Sequence, residues 1–475
     1  MGLRINTSTA TLAALNNLSA QNRLILQTSE RISSGYRINR ASDDPGGLVL
    51  ANRLRTQSRS LLKAVENAQL VQGLLASADT GLQGIVDLLD DIRTNVLAAR
   101  NDPSQIPTLQ PLVDSALDAI NSLANTTRFG DRALLNGQAG YDRANVTGAL
   151  RDVNIRRVFF APGTTTRTIP TQVTAPASQA TLAGIGSPAI SNPGTNTVVR
   201  IEGPLGAQNI TFFSVVGQTE FRNTVNTFRG FTGVYVSGAR FFTDDVGSDK
   251  FLTVTEISGN YVGPEGIDFG RDIAGVIDNV ASVGRGSTLS VNSPSLSLEV
   301  TYSQFQGTTG VVNFTAFAGT GLEFHIGSEP TANDLLFFGI ESILVGNLGA
   351  PSQTVFGQTV QGFLSTIRGG GANDLDSNVG NALRIVDRAM DEVLGLQGFL
   401  GALDANQLQP QIDTYNESIL QLQDAEGLIR DADLAYESAQ LTKYQILATA
   451  GASVIAQAGN LNKNIMGALL GIQIA

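Results

Sequence analysis

Residues 61–99 read LLKAVENAQLVQGLLASADTGLQGIVDLLDDIRTNVLAA, and within them Leu61, Ala64, Ala68, Val71, Leu75, Ala78, Leu82, Ile85, Leu89, Ile92, Val96 and Ala99 follow one another at strictly alternating steps of three and four. That average spacing of about 3.5 residues keeps one narrow apolar stripe on one side of a long, slightly underwound helix. A stripe of this kind needs another helix against it. The far part of the chain supplies the same rhythm in Val379, Ala382, Val386, Ala389, Val393, Leu396, Leu400 and Leu403, which resumes after Pro410 in Ile412, Tyr415, Ile419 and Leu422. Neither stripe has a partner nearby in sequence, so the two are expected to pair as one antiparallel rod that carries everything between them as an insertion.

Working outward, a second short stripe, Leu109, Val113, Ala116, Ile120 and Leu123, follows the interruption NDPSQIP at 101–107. Pro103 ends one helix there and the polar residues after it can cap the next. From about 141 to 371 the texture changes to Gly, Thr, Ser, Val and Phe. Runs such as DVNIRRVFF, NTVVRIEG, QNITFFSVV, FLTVTEI, LSLEVTYSQF and VVNFTAFAG are short, β-branched and bounded by Gly or Pro, which predicts strands. TEFRNTVNTF from Thr219 and GRDIAGVIDNVA from Gly270 read as helices. The expected fold class is therefore α+β: a coiled-coil-like antiparallel rod built from both ends of the chain, with a β-rich region inserted between. Gly369, Gly370 and Gly371 mark the return to helix and read as a flexible joint in preference to a simple strand end.

A chain of 475 residues has ample length for two to four domains. Its net charge of -11 opposes nucleic-acid binding, which needs a basic face. With no Cys and a single His, His325, it has no thiol chemistry, no disulfides and almost no imidazole-based catalysis. The opening residues, MGLRINTSTATLAALNN, lack the unbroken apolar stretch of a signal peptide, and IMGALLGIQIA near the end is far short of the roughly 20 residues that span a bilayer. Neither membrane insertion nor Sec export is expected.

Catalytic and cofactor signatures are missing: there is no phosphate-binding GxxxxGK[ST], no GxSxG elbow, no HExxH and no GxGxxG. No catalytic, cofactor-binding or metal residues are assigned. His325, in the strand-like GLEFHIG, reads as structural. The acidic pairs Asp43–Asp44, Asp90–Asp91 and Asp244–Asp245 read as solvated faces, with the first pair also suited to the start of a helix near Pro45. LDSN, with Asp374 and Asp376, suits helix capping better than calcium binding because the later Gly and Glu of a calcium loop are absent. The more telling residues lie beyond the rod. Leu15, Leu18, Ile25 and Ile32, and Leu447, Ala450, Val454, Leu461 and Ile465, pattern two thinner amphipathic helices where a chain ordinarily frays. Other copies of the chain are their natural partners, which makes these nine the expected assembly residues and the twenty stripe residues from Leu61 to Ala99 and Val379 to Leu403 the rod seam.

At these residues the chain resembles the bacterial flagellins. INTSTATLAALNNL, RISSGYRINRASDDPGGLVLANRLRTQSRSL and RFGDRALLNG carry the likeness on one side, and IRDADLAYESAQLTKYQILATAGASVIAQAGNL on the other. The resemblance implies an extracellular filament subunit for swimming, exported unfolded through the flagellar type III apparatus. It implies inner-core helices at 1–45 and 433–475, rod parts at 46–140 and 372–432, and a surface-exposed α+β region at 141–371 of one or two subdomains. Implied partners are the chain itself as a helical homopolymer, an export chaperone, and the filament cap and hook-junction proteins. In many flagellins a Toll-like receptor reads a rod segment with a basic residue two before a central Arg and a Glu just after it. Here Arg93 is flanked by Asp91 and Thr94, which puts receptor recognition in doubt. Two alternatives stay open: a hook-filament junction protein, and a filament subunit whose outer region is an adhesin or glycan binder.

Overall fold

The computed structural model describes residues 9–470, apart from 147–148, 161–163, 192–193, 195, 294, 304–306, 308–309, 318–320, 330–333, 352 and 356–357. The eight α-helices among these residues are α1 (Thr9–Ser34), α2 (Pro45–Asn101), α3 (Ile106–Thr126), α4 (Gln218–Thr227), α5 (Arg229–Thr232), α6 (Leu375–Leu403), α7 (Gln409–Arg430) and α8 (Leu434–Leu470). Strands occupy the stretch between α3 and α6, and the fold is α+β. The chain divides into two compact units, residues 67–410 and residues 1–66 with 411–475.

In the 67–410 unit, α2 and α6 run antiparallel. Arg93 donates to Asp387 at 2.7 Å, Gln397 to Asp79 at 2.9 Å and Gln72 to Asp404 at 2.7 Å, so residue numbers fall on one helix as they rise on the other. The seam residues from Ala68 to Ala99 are all buried, as are Ala382, Val386, Ala389, Val393, Leu396, Leu400 and Leu403. Val379 is the exception, only half-buried. The preceding Asn378 is non-helical (φ -159°, ψ 66°), which breaks the helical phase before the stripe begins, and the buried position beside it goes to Gly380. On α3 the buried side is Leu109, Val113, Leu117, Ile120 and Ala124, whereas Ala116 and Leu123 of the expected stripe are half-buried. Asp102 caps the turn between α2 and α3 through the Ser104 amide, at 3.1 Å.

Between α3 and α6 every pairing of described strands is antiparallel. The largest sheet has eight strands in the order Arg143–Ala144, Val312–Phe317, Thr166–Ala175, Ala274–Ile277, Val280–Arg285, Thr288–Ser293, Leu296–Tyr302 and Leu150–Val158. Its inward side chains, among them Val153, Ile155, Ile169, Leu298, Val300, Tyr302 and Phe314, form one apolar core. A four-stranded sheet, Gly266–Phe269, Phe251–Ser258, Thr197–Gly203 and Gly206–Phe212, packs with α4 over a separate core centred on Phe221, which stacks on Phe212 and Tyr261.

Three expectations fail here. GRDIAGVIDNVA is not a helix but a hairpin: Ile277 pairs with Val280, and the two residues between them, Asp278 and Asn279, have φ of 50° and 61°. A two-residue loop with both φ positive is the turn that matches strand twist, and Asp and Asn tolerate it better than most residues. The three glycines are a packed turn, not a loose joint. The Gly369 amide donates to Asp114 at 3.0 Å, the neighbouring Arg368 reaches Asp118, and a Cβ on Gly371 would lie 2.3 Å from the Thr366 carbonyl. Finally, Asp244 is not on a solvated face. It is 1% exposed and receives Arg229 at 2.7 Å and Arg384 at 2.7 Å, which ties the loop after the Arg240–Thr243 strand to α5 and α6. Asp90 and Asp91 are exposed, and Asp374 caps α6 by accepting from the Ser377 amide at 2.7 Å.

Candidate assembly surface

The other unit is built from α1, the first part of α2, α7 and α8. Leu61 and Ala64 of the seam are buried here, with Ile412 and Ile419 of α7. Arg55 pairs with Glu426 at 2.9 Å, again antiparallel. The turn between α1 and α2 is held from both sides. Asp43 accepts the amides of Arg40 and Asn39 at 2.9 and 3.1 Å, and these bonds hold its carboxyl below the ordinary range despite some burial. Asp44 accepts the Gly47 amide at 2.8 Å at the start of α2, the anion-at-N-terminus arrangement expected from its sequence position. Across from this turn, the Arg37 amide donates to the Arg430 carbonyl at 2.7 Å, Tyr36 bridges to Asp431, and the Arg430 guanidinium sits 4.1 Å over the Tyr36 ring. Ile38 beneath is 1% exposed. Asp433 starts α8 by accepting the Ala435 and Tyr436 amides.

From this anchored corner α1 and α8 run side by side. Arg31 pairs with Glu437 at 3.1 Å, and Gly451 faces Leu18, so the two helices are antiparallel. Their packing is thin. Among the described side chains, the only fully buried ones are Thr28 on α1 and Glu437 on α8, and neither helix buries a whole apolar side chain. Leu18, Ile25 and Ile32 are half-buried, while Leu15 (46%), Leu447 (43%) and Val454 (57%) stay largely exposed, and Ala450 is exposed too. Leu461 and Ile465 lie outside the residues whose side chains are described. Further exposed apolar groups that sequence reasoning passed over, Leu12, Leu26, Leu428, Tyr436 and Ile446, enlarge the surface. Contiguous apolar exposure is a feature of interaction surfaces.

Two family descriptions match the chain: "Bacterial flagellin N-terminal helical region" over residues 5–139 and "Bacterial flagellin C-terminal helical region" over 383–469. Flagellin B of Helicobacter pylori is similar from end to end, 25% identical over 515 residues that cover 98% of this chain and 99% of that protein. The chain belongs to the bacterial flagellin family. Polar flagellin C of Vibrio parahaemolyticus, 24% identical, covers 99% of this flagellin and is itself covered completely. Flagellin E of Vibrio cholerae reaches 37% identity, but over 141 residues, 29% of this chain and 37% of that one. No helix among the described residues is long and apolar enough to cross a membrane, and those residues contain no group of three or more His, Cys, Asp or Glu placed to hold a metal.

Proposed function

We propose that this flagellin is a structural subunit that self-assembles into the extracellular flagellar filament used for swimming, with α1 and α8 as the surface that neighbouring copies complete. The observation that carries the assembly reading is the thin α1–α8 pair. Ordering backbone costs roughly 1–2 kcal/mol per residue, whereas burying a large apolar side chain returns roughly 1.5–3 kcal/mol. Helices of 26 and 37 residues without one fully buried apolar side chain among those described cannot be held by each other alone. Neighbouring subunits supply the missing wall, so folding of these helices and growth of the polymer are one event. Subunits that meet head-to-tail without closing a ring give a helical polymer.

On this reading 1–45 and 433–475 form the inner core, 46–140 and 372–432 the rod, and 141–371 the outer region. The nine assembly residues act in the first of these and the twenty seam residues in the second. The role is structural, not enzymatic. By family resemblance the partners beyond the chain itself are an export chaperone, the filament cap and the hook-junction proteins. The test is electron microscopy of the purified chain beside a variant lacking residues 9–34 and 434–470. The intact chain is expected to form long tubes and the trimmed one to stay dispersed; tubes of equal length from both overturn the reading.

A further inference from the structure

Within the 67–410 unit, the face of the eight-stranded sheet that turns away from its apolar core is charged. Asp152, Asn154 and Arg156 alternate with the buried Val153 and Ile155 on one strand, and Glu299 and Thr301 lie in register opposite Asn154 and Asp152 on the next. Two further elements meet this face. Helix α6 brings Arg388, which reaches Thr301 at 3.3 Å, and Glu392; the segment after the Leu335–Phe338 strand brings Glu341. Asp152, Glu341 and Glu392 line one cavity of about 440 Å³, together with Arg143 and Tyr141.

The charges around that cavity do not balance. Arg143 pairs with Asp152 at 2.9 Å, Arg156 with Glu299 at 3.0 Å and Arg388 with Glu392 at 3.0 Å, which uses each guanidinium once. Glu341 is the fourth carboxyl and stands 3.8 Å from the already engaged Arg156, its Oε1 buried without a hydrogen bond. Glu392 is better served, because its second oxygen accepts the Gly349 amide at 2.9 Å. Arg156 Nε, which faces that oxygen, makes no hydrogen bond either, and a carboxylate 18% exposed with only a guanidinium shared with Glu299 beside it is disfavoured against the neutral acid.

We propose that Glu341 holds a proton-operated latch between the sheet and α6: the neutral acid keeps Glu392, Asp152 and Glu299 tolerable at close quarters, and loss of its proton drives α6 and the 340–349 segment away from the strands. Burial pushes the Glu341 carboxyl up to about 8 and that of Glu392 to about 7. Arg156 and Arg388, respectively, oppose this, while Asp152 reinforces both shifts, joined at Glu341 by Glu299 and Glu392. Tyr141, pushed up to about 12 by burial, stays neutral throughout. The sign follows. The folded protein keeps a proton that an unfolded glutamate, at 4.5, has already released, so stability falls as pH climbs from about 4.5 toward about 8.

The test follows the denaturation midpoint of the full-length chain, kept dispersed, from about pH 5 to about pH 9, beside Glu341→Gln. The wild type is expected to weaken from about pH 5 to about pH 8 and to level off above it, by up to about tenfold in the folding constant per pH unit for each retained proton, Glu341 supplying one up to about pH 8 and Glu392 another up to about pH 7. Glu341→Gln keeps the neutral form at every pH and is expected to lose the slope between about pH 7 and about pH 8, keeping below that only the share of Glu392. A flat wild-type profile, or an unchanged slope in the variant, overturns the latch. Should the variant fail to fold, hydrogen exchange of the wild type, corrected for the intrinsic rate, decides: protection of residues 340–349 and 384–396 is expected to drop above neutral pH, and constant protection overturns the proposal.

Discussion

Asp244 shows how one residue can hold distant parts of the chain together. Its two oxygens receive Arg229 and Arg384, and Arg229 also lies 4.6 Å over the Tyr235 ring. For Arg384, burial works against the charge, but Asp244 and Asp245 outweigh it and hold the guanidinium above its ordinary pKa. Removing the carboxylate leaves two guanidiniums without their shared anion, and breaking a buried pair this way costs about 3–5 kcal/mol. Asp244→Ala is therefore expected to lower the unfolding free energy of the full chain by that amount, measured by urea unfolding; a loss under about 1 kcal/mol would show the site to be wetter than it looks. This role was not legible in the sequence. The partners stand 15 and 140 residues away, and a doublet of aspartates in a loop looks the same whether it faces solvent or a pair of arginines.

At the scale of elements, the helices were the legible part. The alternation of three and four from Leu61 to Ala99 survives intact because nothing in α2 breaks the helix, and each of those side chains is buried. The same rhythm from Val379 to Leu403 loses its first member because Asn378 leaves helical geometry, a backbone event that side-chain spacing cannot announce. Around the hairpin at 274–285, Ile273 and, within it, Val276, Ile277 and Val280 mimic helical spacing, and the decisive signal was the Asp-Asn pair able to take positive φ twice in succession. The glycines at 369–371 needed the same care, since glycine serves a tight packed turn as readily as a loose one. The seam makes a quantitative claim. Leu89 is wholly buried, so Leu89→Ala is expected to destabilise the rod by about 2–5 kcal/mol, read as a shift in the thermal or urea midpoint. A change within about 0.5 kcal/mol, the size ordinary for a surface site, would remove Leu89 from the core.

The whole molecule joins two kinds of surface economy. The 67–410 unit has cores of its own, in the seam from Ala68 onward, under the eight-stranded sheet and around Phe221, although Phe213 and Val283 among others stay exposed on it. The unit formed by 1–66 and 411–475 has one at its anchored corner, around Ile38, Arg430 and Tyr36, and leaves α1 and α8 half-covered. On the function proposed above, such a flagellin has stable parts ready before assembly and a surface that assembly completes. The most direct measurement is peptide-resolved hydrogen exchange of residues 9–34 and 434–470 in dispersed chain and in polymer. Exchange close to the unstructured rate in the dispersed chain, turning to strong protection in the polymer, is the predicted result. Equal protection of both helices in the two states would contradict the account.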